Sequence, residues 1–292
     1  MSLEKVVANL INKIERRFYG KYRGIVVNNK DPEQLGRLKV KVPSVLGGNV
    51  VTGWSLPCVP YGGDVDQGFL FIPEVGAGVW VEFEEGDLEF PIWVGTFWSK
   101  PGGNSELPKP NKPDGSEESN VQDPTTSKII KTKKQHTLQF EDADGKEMIV
   151  VVDGANGHVA TLDSNGIKIV DGKNKHEITM DTNGIKTVDG QNKHEITLDS
   201  QGMNIQDGIN KHKINLSNSG VNIETQSGAK IQLTPAGISV DAGPGVVEVK
   251  GSVIKLSASA ALPVLRLTDQ GIGNLGAPVV MGIGPGNPTV LA

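Results

Sequence analysis

The stretch Lys175–Asn192 reads KHEITMDTNGIKTVDGQN, and its pattern returns along the chain with a period of 18 residues. His158, His176, His194 and His212 keep that step. So do the pairs Asp153-Gly154, Asp171-Gly172, Asp189-Gly190 and Asp207-Gly208, and the glycines Gly166, Gly184, Gly202 and Gly220; Gly237 follows one residue early. Three markers in one register define a structural repeat, and a fixed period outranks any local reading. Within the unit, Ile178 and Met180 alternate with Thr179, and Ile185 and Thr187 flank Lys186. That two-residue period belongs to strands with one apolar and one wet face. Asp181-Thr182-Asn183-Gly184 between them is a turn in which Gly184 takes positive φ, and Asp189-Gly190-Gln191-Asn192 is a second turn. A unit of two short strands cannot bury its apolar face alone; stacked units can, with neighbours or with further copies of the chain.

Working outward, the rest of the chain is also of β character. Glycine is abundant, with 37 residues in 292, and helix signals are scarce after residue 20. The formal charge of −5 gives no general argument for nucleic-acid binding. Cys58 is the only cysteine, which excludes an intrachain disulfide and argues against a zinc-thiolate cluster. No apolar run reaches membrane-spanning length, and charges interrupt the apolar residues of the N-terminus, so neither a span nor a signal peptide is expected.

Residues 1–18 are expected to form an amphipathic helix with Ser2 as N-cap. Leu3, Val7, Leu10, Ile14 and Phe18 make its apolar stripe, which packs on this chain, on its copies, or on a separate partner. Residues 19–98 carry about five strands and no second helix, which fits a small closed barrel of the OB kind. In it Leu38, Val40 and Val42 alternate with Arg37, Lys39 and Lys41, and Val79, Val81 and Phe83 alternate with Trp80, Glu82 and Glu84. Residues 99–128, with Pro101, Pro108, Pro110, Pro113 and Pro124 among Gly, Ser, Asn, Lys and Glu, read as an extended linker between two separately folding bodies. Strands resume at 129–270, including Val246–Lys250, Ser252–Ser257 and Val264–Thr268 beyond the regular repeats. Residues 271–292 form a Gly/Pro-rich, tapering end.

Arg37, Lys39 and Lys41 with Trp54, Trp80 and Trp93 suggest a base-stacking surface, but Glu82, Glu84, Glu85, Asp87 and Glu89 crowd the same small domain with acid, so no nucleic-acid partner is expected. By parity His176 shares the face of Ile178 and Met180. If that face meets a three-fold axis, His158, His176, His194 and His212 present rings of three imidazoles fit for a metal or anion. The favoured alternative places each His at a turn–strand corner, hydrogen-bonded to neighbouring backbone. A calcium β-roll lacks the required Gly-Gly-x-Gly-x-Asp order. A histidine that recurs four times at one spacing is not a catalytic residue, and no catalytic constellation, metal or cofactor is expected.

The order of parts and some of the wording resemble the central spike proteins of contractile injection machines, namely phage baseplate assembly protein V and the VgrG proteins of type VI secretion. The match lies in Tyr22-Arg23-Gly24-Ile25-Val26, Asp31-Pro32 through Gly36-Arg37, the strand ending at Pro43, Gly53-Trp54, and Pro73 through Gly76-Ala77-Gly78-Val79-Trp80-Val81. His136-Thr137-Leu138 followed by Asp142 to Glu147 is similar to the entry of a VgrG β-prism. The resemblance implies an all-β homotrimer, with an OB collar under the tail tube and a repetitive β-prism or β-helix needle that transiently meets the target membrane. It also implies baseplate partners, and a PAAR-type protein on the tip formed by Gly276, Val279, Val280, Met281, Pro285, Val290 and Leu291; the plain alternative for that end is a closing plug. Only about 20 residues precede the collar, so the hub is expected to be a separate polypeptide, touched by Leu3, Val7, Leu10 and Ile14. The interval between collar and needle is too short for a lysozyme domain. Assembly in the cytoplasm, in a virion tail or injection particle, follows. The alternative class is an OB adaptor whose rod carries an effector or receptor-binding cargo.

Overall fold

A computed structural model describes residues 3–7 and 17–250 and the backbone of residues 270–272 and 278–280. The chain divides into two compact units, Met1–Gln191 and Asn192–Ala292. Strands dominate both, and the protein is an all-β molecule, as the alternation required.

The first unit opens with the barrel. Its strands are β1 (Tyr22–Asn28), β2 (Lys39–Lys41), β3 (Leu56–Pro57), β4 (Gly78–Phe83) and β5 (Pro91–Thr96). They run in the order β2-β1-β4-β5-β3, with β3 parallel to β5 and the other pairs antiparallel. The bridges Leu38↔Ser55 and Lys41↔Val51 join the approach to β3 back to β2 and close the ring. A five-stranded closed ring of this kind is an OB barrel. Its interior holds Val26, Leu38, Val40, Val42, Val79, Val81, Phe83 and Trp93. The two alternating runs therefore turn their aliphatic faces inward, as their spacing demands.

Two local expectations are corrected here. The chain after Val42 forms a one-turn helix, Pro43–Leu46, started by a proline at its first position. Residues 17–19 are not helical. Phe18 leaves the apolar stripe because the barrel captures it: its N–H donates to Gly86 O at 2.8 Å, and its ring packs edge-on against Phe83. Residues 3–7 are helical, while Leu10 and Ile14 lie outside the described residues.

Residues 99–128, expected as an extended linker, are instead folded across the first strands of a second sheet, between Pro108 and Ser127. That sheet contains β6 (Ser127–Lys131), β7 (Thr137–Glu141), β8 (Met148–Asp153), β9 (His158–Asp163), β10 (Gly166–Val170), β11 (Glu177–Asp181) and β12 (Gly184–Val188), each antiparallel to the next. Gln139 is fully buried and acts as a strand edge for the covering segment. Its Oε1 accepts the Asn111 N–H at 2.6 Å, and its Nε2 donates to Asn111 O at 3.1 Å. Thr161 Oγ1 donates to Pro113 O at 2.7 Å, and Lys131 Nζ to Lys109 O at 2.6 Å. Val150, Val152 and Val159 are sealed beneath this strap. Side chain-to-backbone bonds hold it, so a composition too poor for a core of its own still finds a fixed path.

The second unit continues the antiparallel pattern with β13 (Glu195–Asp199), β14 (Gly202–Gln206), β15 (Lys213–Ser217), β16 (Gly220–Glu224), β17 (Lys230–Thr234) and β18 (Gly237–Asp241). The expected strand Val246–Lys250 is not formed. Gly243, Pro244 and Gly245 break the pattern just before it, and its valines are exposed. The expected strands at 252–257 and 264–268 lie outside the described residues. A last antiparallel pair, β19 (Gln270–Ile272) with β20 (Pro278–Val280), crosses the expected boundary at 270/271.

Candidate functional site

The cross-strand register sorts the repeat side chains into rows, because directly opposed residues project to the same face. In the first unit one row runs Ile130, Leu138, Val151, Ala160, Ile169, Ile178 and Thr187, and a second runs Phe140, Ile149, Leu162, Ile167, Met180 and Ile185. In the second unit the rows are Ile196, Ile205, Ile214, Ile223, Ile231 and Val240, and Leu198, Met203, Leu216, Val221, Leu233 and Ile238. The strap covers the other face of the first strands. Among the described residues nothing covers this double apolar row, and most of its members are exposed. A surface of this kind, two side chains wide and continuous along each unit, exceeds the scattered apolar exposure of an ordinary surface.

Beyond the strands under the strap, the opposite face carries mostly polar side chains. Lys168 pairs with Glu177 at 2.9 Å, and in the second unit Asn204, Asn215, Asn222 and Gln232 stand in one cross-strand row.

The histidines occupy the margin of the apolar face. Glu177 opposes Val188, so the next pair outward is His176 and Asp189, on the face of Ile178 and Thr187. The parity reading of His176 is therefore met. His158 Nδ1 accepts the Gly172 N–H at 3.2 Å, His176 Nδ1 that of Gly190 at 3.1 Å, His194 Nδ1 that of Gly208 at 3.1 Å, and His212 Nδ1 that of Gln226 at 3.4 Å. The carboxylates of Asp171, Asp189 and Asp207 lie 3.1, 3.0 and 3.0 Å from Nδ1 of His158, His176 and His194. His136 stands in the same relation to Asp153, at 3.1 Å. The corner position with a backbone partner is thus the observed geometry. No group of three or more His, Cys, Asp or Glu side chains fit to hold a metal occurs among the described residues of this single chain.

The turn carboxylates are committed to their own loops. Asp171 accepts the Lys173 N–H at 2.9 Å and the Asn174 amide at 2.8 Å. Those two donors, with His158 nearby, hold its carboxyl below the usual carboxylate range. Asp207 is lowered in the same way by the Ile209 N–H, the Asn210 side chain and His194. The reading of the sequence did not pair these aspartates with the histidines. The signal was there: Asp171, Asp189 and Asp207 each follow a histidine by 13 residues.

In the barrel, the base-stacking set is dispersed. Trp93 is buried, and its Nε1 donates to Gly36 O at 3.2 Å. Arg37 is locked to Asp31 at 2.7 Å and Glu33 at 3.0 Å, and it lies over Trp54 with Lys39. The Arg37 guanidinium holds the Asp31 carboxyl well below the usual range. Trp80 packs on Phe97 under Arg23. A second apolar surface that sequence reading passed over lies on the loop after β3, where Tyr61, Phe69, Leu70 and Phe71 are exposed. Phe69 meets Tyr61 edge-on and Phe71 at a tilt.

Of the residues expected to meet a hub, Leu3 and Val7 are helical and exposed. Of those expected at the tip, Val279 and Val280 lie in β20; Gly276, Met281, Pro285, Val290 and Leu291 lie outside the described residues. Among the described residues no helix is long and apolar enough to cross a membrane.

No curated protein matches the chain. Residues 22–98, which hold the whole barrel, match the model of a family described as the Type VI secretion system/phage-baseplate injector OB domain, and this supports a baseplate-spike-related role for the chain.

Proposed function

We propose that this chain is the central spike of a contractile injection machine, a homotrimer whose barrels form a collar beneath the tail tube and whose repeat strands form a rigid needle. The observation that carries the reading is the open double apolar row. Among the described residues of one chain nothing covers it, and the strap closes only the opposite face. Three copies around an axis turn all the rows inward and leave a polar exterior of Lys, Glu, Thr and Asn. Backbone hydrogen bonds between successive strands then run along the shaft, which suits an element that must transmit thrust through an envelope. The injector-family match of the barrel supplies the setting. In this reading the N-terminal segment meets a separate hub, the C-terminal end carries a PAAR-type tip, and the role is mechanical rather than enzymatic.

The test is complementation. In a producer of contractile particles from which this chain has been removed, the wild-type chain restores assembled, killing-competent particles. A chain carrying Ile196→Asp and Ile214→Asp does not restore them, because two carboxylates per copy would be buried unpaired. Particles that assemble and kill without the chain contradict the proposal.

A further inference from the structure

The histidine margin has a second polar end that the chain itself does not use. Each Nδ1 is engaged within the chain, by a backbone N–H and, in His158, His176 and His194, by an aspartate carboxylate as well, so Nε2 is the ring's remaining polar end. No Nε2 hydrogen bond is formed among the described residues, and the side chains of His158, His176 and His194 are 48%, 50% and 47% exposed. In each unit the imidazoles, His158 and His176 in the first and His194 and His212 in the second, lie on the face of the apolar rows, along one edge. The other edge of that face is made of the turns that join β9 to β10, β11 to β12, β13 to β14 and β15 to β16. Their tips are Asn165, Asn183, Gln201 and Ser219, all exposed. Histidines and tips share the 18-residue period, and there are four of each.

A three-fold axis makes head-to-tail contacts, so one edge of a sheet must meet the opposite edge of the next copy. We infer that the four histidines are the inter-chain fasteners of the needle. Nδ1 is fixed by the chain's own turn, and Nε2 hydrogen-bonds to a polar group of the facing turn in a second copy of this chain, whose Asn, Gln and Ser tips can donate or accept. This rests on the trimeric reading above. It accounts for a two-ended aromatic ring at a corner where a shorter acceptor would serve the glycine N–H alone. It also gives the repeat a device for registering one copy against the next, since a slip of one strand would pair histidines with strand ends instead of turn tips.

The test uses the full chain. Wild-type mass in solution is measured first: any state other than a trimer overturns the trimeric reading and this inference together. In the wild-type trimer, deuterium exchange at the imidazole C2–H of His158, His176, His194 and His212 is expected to be slowed well below that of an unfolded repeat peptide; unprotected exchange in a trimer overturns the inference alone. Two variants replace all four histidines, one with Asn and one with Gln. The Asn amide can keep the Nδ1 acceptor but cannot reach as far as Nε2, whereas Gln can. The Asn chain is expected to melt roughly 10 °C or more below wild type, and the Gln chain close to wild type. Equal melting of both variants, whether at the wild-type temperature or equally lowered, overturns it.

Discussion

At Gly190 the carbonyl oxygen of Asn174 passes so close that an added Cβ would overlap it, and Gly172 and Gly208 meet the preceding turn in the same way. The Asp-Gly pair is thus a joint between successive levels, with Asp capping its own turn and Gly letting the neighbouring turn approach. Gly190→Ala should destabilise the repeat by roughly 1–3 kcal/mol, the usual cost of overpacking, read as an earlier urea transition in far-UV circular dichroism; an unchanged midpoint would count against close turn stacking. Glu141 offers a pH test. Burial raises its pKa, but the Ser127 and Thr126 hydroxyls, the Ala143 N–H and the Gln122 amide outweigh burial and bring the value from 4.5 down to about 2. A depressed folded-state pKa means that its contribution is complete above the unfolded value and is lost as pH falls from about 4.5 through about 2. Protease cleavage within residues 105–125 should therefore rise over that window in the wild type. In Glu141→Gln the rise should be weaker, because that contribution no longer titrates. Identical pH profiles for the two chains would remove Glu141 from the account.

Among elements, the strap distinguishes the first strands from the later ones. Gln139→Leu leaves the Asn111 N–H and C=O without their buried partner, at a cost of roughly 1–3 kcal/mol for an unsatisfied group. Faster proteolysis of the strap with an intact repeat core is the expected result, and wild-type resistance would show that the clamp is dispensable. The repeat strands were legible because hydrophobic parity and turn chemistry agree at every level, down to Gly184, which takes the expected positive φ of 130°. The barrel was legible for the same reason in its two alternating runs. The strap was not, because its bonds join residues 28 and 48 positions apart, and its proline-rich composition is also that of a disordered connector. Phe18 was misassigned because its spacing fits a helical stripe while Phe83 and Gly86 draw it into the barrel. The histidine corner was foreseen, but its aspartate partner was not, since parity within a strand does not reveal the register between strands.

For the whole molecule, the decisive feature is an apolar face that no described residue of the chain covers. The barrel buries its core within one chain, whereas the repeat strands beyond the strap leave their apolar rows exposed among the described residues. The measurement that tests this most directly is the mass of the intact chain in solution, by light scattering coupled to size-exclusion chromatography. The account predicts three times the single-chain mass of 31.0 kDa, with the assembly persisting in concentrations of denaturant that unfold ordinary domains. A stable, folded monomer with its isoleucine rows open to water would contradict it.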